Sequence, residues 1–95
     1  MGIEKLNQVK LTIGIPTYNG EQFLEEKITS ILNQNFTDFE LIISDNGSTD
    51  TTKEICNNFA IKDKRIRFFS HKKNLGAFWN FDFILKKACG KYFMW

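Results

Sequence analysis

The sequence predicts an α/β domain, a parallel four-stranded sheet with helices on both faces in the order β-α-β-α-β-α-β. Three observations point to it. Four short apolar runs have strand character, the stretches between them carry apolar residues at helical spacing, and the connections are short. Regular alternation of this kind returns each strand to the same end of one sheet through a helical crossover, which makes the strands parallel.

The elements follow in order. KLTIGIP (residues 10–16) alternates Leu11, Ile13 and Ile15 with Thr12 and Gly14, the two-residue period of a strand. Pro16 lacks a backbone N–H and is expected to stop its ladder. From Glu21 the period lengthens: Leu24, Ile28, Ile31 and Leu32, with Phe23 beside them, mark a helix that ends at Asn33-Gln34-Asn35. FELIIS (39–44) is a nearly continuous apolar run, as expected of a strand covered on both faces. Thr51 and Glu54 have capping-box spacing at the head of a second helix, along which Ile55, Cys56 and Phe59 form a stripe. RIRFFS (65–70) is a third strand. Ala77, Phe78, Phe81, Ile84, Leu85 and Ala88 line a third helix, Gly90 is its expected stop, and KYFMW (91–95) is the fourth strand. Residues 1–9 read as a tail and 10–95 as one domain.

Composition narrows the function classes. The chain has 95 residues, 42% of them hydrophobic and 25% charged, a globular profile. With 13 basic and 11 acidic residues the net charge is only +2, so no nucleic-acid partner is expected. The local basic and aromatic mixture in KDKRIRFFSHKK (62–73) is compatible with single-strand binding, but it also fits a basic turn before a core strand. Cys56 and Cys89, the only cysteines, both fall in segments of helical period and are expected to be buried free thiols. That fits a reducing compartment, no apolar run is long enough to span a bilayer, and the N-terminus lacks a signal-peptide core. The expected location is cytoplasmic.

In an open parallel sheet, ligands bind beyond the carboxyl ends of the strands. The loops to inspect are therefore PTYNGEQ, SDNGSTD and SHKKNLG. No P-loop pattern occurs, and the first loop has no GxGxxG, so phosphate cradles of those two kinds are excluded. What remains is a hydroxyl and an aromatic ring at Thr17 and Tyr18 after Pro16, a carboxylate at Asp45, and a polar side chain and bare backbone at Asn74 and Gly76. Asp45 can accept an N–H from a base or a ribose hydroxyl. It can equally serve its own turn, as Asp and Asn commonly do. His71 is the lone histidine and reads as a surface residue; Trp79 and Trp95 read as packing groups.

Taken in order, the strand ending PTYN, the helix with LNQ near its end, the DNGSTD turn, the NLG loop and the strand GKYFMW resemble the N-terminal half of family 2 glycosyltransferases. The resemblance runs from about Lys10 to Trp95. It implies the Rossmann-like half of a GT-A fold and an inverting transferase that uses a nucleoside-diphosphate sugar, with UDP the expected carrier and a bacterial polysaccharide or glycoconjugate the expected product. It also implies a nucleotide-binding role for Pro16, Thr17, Tyr18, Asp45, Asn74 and Gly76, with Asp45 on the base. Two positions depart from the family. An acidic pair is common where this chain has Asp45-Asn46, and an arginine is common at the head of the third helix, where Lys72 or Lys73 would have to meet the diphosphate.

The resemblance further implies that a DXD-type motif for Mg²⁺ or Mn²⁺, the catalytic base and the acceptor region follow the strand at residues 91–95. The 95-residue chain is accordingly expected to bind no metal, to have no transferase activity and to self-associate through that strand. The parent enzyme is expected to use a divalent metal and is compatible with association at the inner face of a membrane. The reading from another class is a flavodoxin-like or receiver-like interaction domain without catalysis.

Overall fold

The strand β2, Phe39–Asp45, is buried at all seven positions, and the rest of the fold is arranged around it. The computed structural model describes residues 9–95. Their elements are β1 (Leu11–Thr17), α1 (Leu24–Leu32), β2, α2 (Thr52–Lys62), β3 (Ile66–Ser70), α3 (Ala77–Lys87) and β4 (Tyr92–Met94). Among these residues the sheet is four-stranded in the order β3-β2-β1-β4, and every pair is parallel. The predicted tail falls almost wholly outside the described residues.

Side-chain alternation along the strands separates two interiors. Ile13, Ile15, Phe39, Leu41, Ile43 and Ile66 join Leu24 and Ile28 of α1 and Cys56 of α2 in one apolar cluster. Each fully buried Ile, Leu or Phe there contributes about 1.5–3 kcal/mol. The opposite face is covered by α3 and is far more polar. Thr12, Glu40, Ser44 and Asn80 are all buried on it, beside Ile42 and Ile84. Each of these polar groups has a partner, because an unpaired polar group in such a place is costly. Glu40 accepts from Thr12 Oγ1 at 2.6 Å, Cys89 N at 2.6 Å and Arg67 Nη1 at 2.8 Å. Burial alone would raise its pKa, but these hydrogen bonds and the Arg67 charge outweigh burial and hold it below the usual value.

Several local expectations are corrected by tertiary contacts. Pro16 does not end β1; it stays in register with Ser44, and Thr17 with Asp45. Leu11 N donates to Asp38 O and Thr17 O accepts from Asn46 N, so these odd-numbered positions bond toward β2. Pro16 is of the other parity, and β4 pairs only as far as Ile13, so the missing N–H costs no ladder bond. The helix α1 starts at Leu24 because 21–23 form a turn in which Phe23 N and Leu24 N both donate to Gly20 O. The capping box does not form: Thr51 Oγ1 donates to Glu21 Oε1, and Asp50 Oδ1 accepts Thr52 N.

On α3 the predicted stripe is rotated. Asn80 and Ile84 are buried, while Phe78 is 87% exposed. The helix stops at Lys87, three residues before Gly90. Gly90 instead permits close approach, since a Cβ there would lie 2.5 Å from Thr12 N. Cys56 is buried as expected, but Cys89 lies beyond the helix and is exposed; both are free thiols.

Candidate functional site

The carboxyl ends of β1 and β2 and the head of α3 enclose a cleft of about 340 Å³. Pro16, Thr17 and Tyr18 form one wall, Asn46 and Asn74 the floor and rim, and Ala77, Asn80 and Phe81 the wall from α3. Tyr18 leaves about half its surface exposed, so its ring is available to a planar group. Aromatic faces and a few polar groups at the strand ends are what a ligand with a flat ring and hydroxyls requires.

Asn46, rather than Asp45, reaches this cleft. Phe39, Leu41 and Ile43 face the α1–α2 side, so Asp45 continues toward that side and Asn46 falls on the α3 side. Asp45 is fully buried, and both its oxygens are used by its own turn: Oδ2 accepts Ser48 N at 3.0 Å and Oδ1 accepts the Ser48 hydroxyl. Its charge is felt instead at Cys56, whose thiol is pushed up to about 12 by burial first and by the Asp45 carboxylate second. The sequence places Asp45 on a base by resemblance; in this structure strand parity turns its side chain away from the cleft and into its own turn.

Asn46 binds the third loop with its whole amide. Nδ2 donates to Asn74 Oδ1 at 2.9 Å and to Gly76 O at 3.1 Å, and Oδ1 accepts Leu75 N at 2.9 Å. Asn74 and Gly76 are thus brought to the cleft, Gly76 by its carbonyl rather than as part of the lining. Gly47 allows this closure. Its φ is +83°, and a Cβ there would lie 2.6 Å from the Lys73 carbonyl carbon. The side chains of Lys72 and Lys73 are exposed and do not line the cleft.

His71 is a half-buried packing residue rather than a surface one. Its ring lies edge-on to Trp79 and Phe83, and Trp79 stacks on Phe83. Its Nε2 is 2.8 Å from Ser44 Oγ, and Ser44 Oγ donates to Asn80 Oδ1 at 2.6 Å. The single serine proton is committed to Asn80, so His71 must donate through Nε2. Burial lowers the His71 pKa, against the pull of the Asp45 carboxylate, and so favours the neutral ring. The pair is a structural bridge between strand ends and not a nucleophile with its base. Among the described residues, no group of three or more His, Cys, Asp or Glu side chains is placed to hold a metal ion. No helix among them is long and apolar enough to cross a membrane.

Comparison with known proteins places this geometry in a family. The model of glycosyl transferase family 2 matches residues 12–95, and the chain belongs to that family. A Haemophilus influenzae protein named as an uncharacterized glycosyltransferase is 41% identical over 87 residues, covering 92% of this chain and 35% of its own length. The chain therefore spans about a third of that relative. The structure of Staphylococcus aureus TarS residues 1–349 in complex with UDP superposes with a TM-score of 0.79 at 29% identity, over 90% of this chain and 26% of that one. The Pyrobaculum calidifontis mannosyltransferase PcManGT, in complex with GDP-mannose and Mn²⁺, shares the fold with a TM-score of 0.76 at 24% identity, over 85% of this chain and 25% of its own. The parallel α/β architecture is that of GT-A glycosyltransferases.

Proposed function

We propose that the cleft is the nucleoside-binding part of a sugar-nucleotide donor site, with UDP as the carrier. The observation that carries this reading is the convergence of the first and third strand-end loops, tied together by Asn46, on one cleft with an exposed aromatic ring. Tyr18 stacks on the base, while Pro16 and Thr17 line its edge. Asn74 and the Gly76 backbone close the other side, with Asn46 holding both in place. The TarS complex with UDP supports the choice of nucleotide. For a protein of the relatives' length, the reading extends to metal-assisted, inverting transfer of a sugar to an acceptor in bacterial polysaccharide or glycoconjugate synthesis. The Mn²⁺ with GDP-mannose in PcManGT accords with a divalent metal, whose ligands would lie outside the residues described.

The test is an amide NMR titration of the 95-residue chain with UDP, with GDP as control. Saturable shifts at Thr17, Tyr18, Asn46 and Leu75 with UDP are expected. Shifts with neither nucleotide, or shifts scattered away from the cleft, overturn the reading.

A further inference from the structure

The first and second strand-end loops are laced together behind the cleft. Asn19, the residue after Tyr18, has φ +49°, the left-handed conformation that asparagine tolerates better than most side chains. Its backbone N–H donates to Ser48 Oγ at 2.8 Å, and its side-chain Oδ1 accepts Thr49 N at 2.8 Å. The Ser48 hydroxyl donates in turn to Asp45, so it serves as donor on one side and acceptor on the other. Asp45 also takes Ser48 N, which fixes the serine from two directions. Next along the chain, Gly20 N donates to Thr52 Oγ1 at 2.9 Å. Asp45 and Ser48 are buried, whereas Tyr18 projects into the cleft with no side-chain hydrogen bond of its own among the described residues.

We infer that Ser48 and Asn19 are positioning residues for Tyr18. Asp45 orients the Ser48 hydroxyl, Ser48 and Thr49 hold Asn19 in its left-handed turn, and that turn sets where the Tyr18 ring stands in the cleft. The inference rests on the donor-site reading for its functional consequence, but not for its structural one. A ring held in place before binding loses less freedom when a base stacks on it. Asp45 thus acts on the cleft from behind, through two residues, without touching its contents.

The experiment uses Ser48→Ala, Asn19→Ala, Asn19→Asp and Tyr18→Ala, alone and with Ser48→Ala combined with Tyr18→Ala. Without nucleotide, Ser48→Ala should shift the Tyr18 ring-proton signals and speed exchange of the Asn19 and Thr49 amides, while amides inside β2 and β3 keep their protection. Unmoved Tyr18 ring signals overturn the inference, whether or not any nucleotide binds. With UDP, Ser48→Ala and Asn19→Ala should each weaken binding about tenfold, the scale of one lost orienting hydrogen bond. Asn19→Asp keeps the acceptor and tolerates the left-handed turn, so it should stay within about twofold of the parent. In the Tyr18→Ala background, Ser48→Ala should cost nothing further. An equal loss in both backgrounds would show a general structural role and refute the relay through Tyr18. If the parent chain binds no UDP, the donor-site reading fails, and the ring shifts and amide exchange alone decide this inference.

Discussion

Glu40→Gln tests the polar interior beneath α3. Glu40 Oε2 accepts both Thr12 Oγ1 and Cys89 N, and Oε1 accepts Arg67 Nη1. A glutamine in the same place has one acceptor oxygen. The cheaper orientation keeps that oxygen toward Thr12 and Cys89 and turns the amide NH₂ toward Arg67, which is partly exposed and can rehydrate. Two hydrogen bonds then lose their charge assistance, and one partly exposed ion pair is lost. Hydrogen bonds to charged groups contribute about 1.5–3 kcal/mol, against about 1 kcal/mol for neutral ones. Exposed pairs contribute about 0–1 kcal/mol. The sum is about 1–5 kcal/mol, and its centre near 3 kcal/mol corresponds to a fall in Tm of about 12–24 °C for a chain of this size.

The same substitution alters the acid limb of stability. The folded-state pKa of Glu40 lies below the ordinary value of 4.5, so the folded chain binds fewer protons than the unfolded chain in the window between the two values. Its contribution is fully present above about pH 4.5 and is lost as pH falls through the folded value. Urea unfolding of the parent and Glu40→Gln chains at several pH values is the assay. The gap between them should be widest near neutrality and should narrow below pH 4.5. A gap under about 0.5 kcal/mol at neutral pH would show that the three donors find water or other partners, and would refute the reasoning.

Two other predictions concern the thiols and the sheet edge. At pH 8, an aromatic disulfide reagent should titrate one thiol promptly, the exposed Cys89, and reach Cys56 only on unfolding, because burial suppresses its thiolate; two equally fast thiols would contradict the packing of α2. The self-association expected through residues 91–95 stands as a proposal: β4 lies at the edge of the sheet, and Tyr92, Met94 and Trp95 are about half exposed. Sedimentation should show a concentration-dependent mass that Met94→Lys abolishes, and a monomer at all concentrations tested would refute it.

The order of elements, the parallel sheet and the loops that hold the cleft could all be read from the amino-acid sequence, because each depends on local periodicity and chain connectivity. The continuous apolar run of β2 marked it as covered on both faces, and all seven of its residues are buried. Pro16, Thr17, Tyr18 and Asn74 were legible as site candidates because they fall at the carboxyl end of β1 or in the loops that follow the strands. Which of Asp45 and Asn46 faces the cleft depends on long-range packing. Their alternation is visible in the sequence, but not which face α3 covers, and that is what sends Asn46 to the cleft and Asp45 to Ser48. The same holds for α3, where apolar spacing indicated Phe78 while the polar sheet face selected Asn80 to meet Ser44. It holds too for Thr51 and Asn19, whose partners are about 30 residues away in the chain. Periodicity fixes how a segment folds along its own axis; how far it is rotated, and what it then touches, depends on elements distant in the chain.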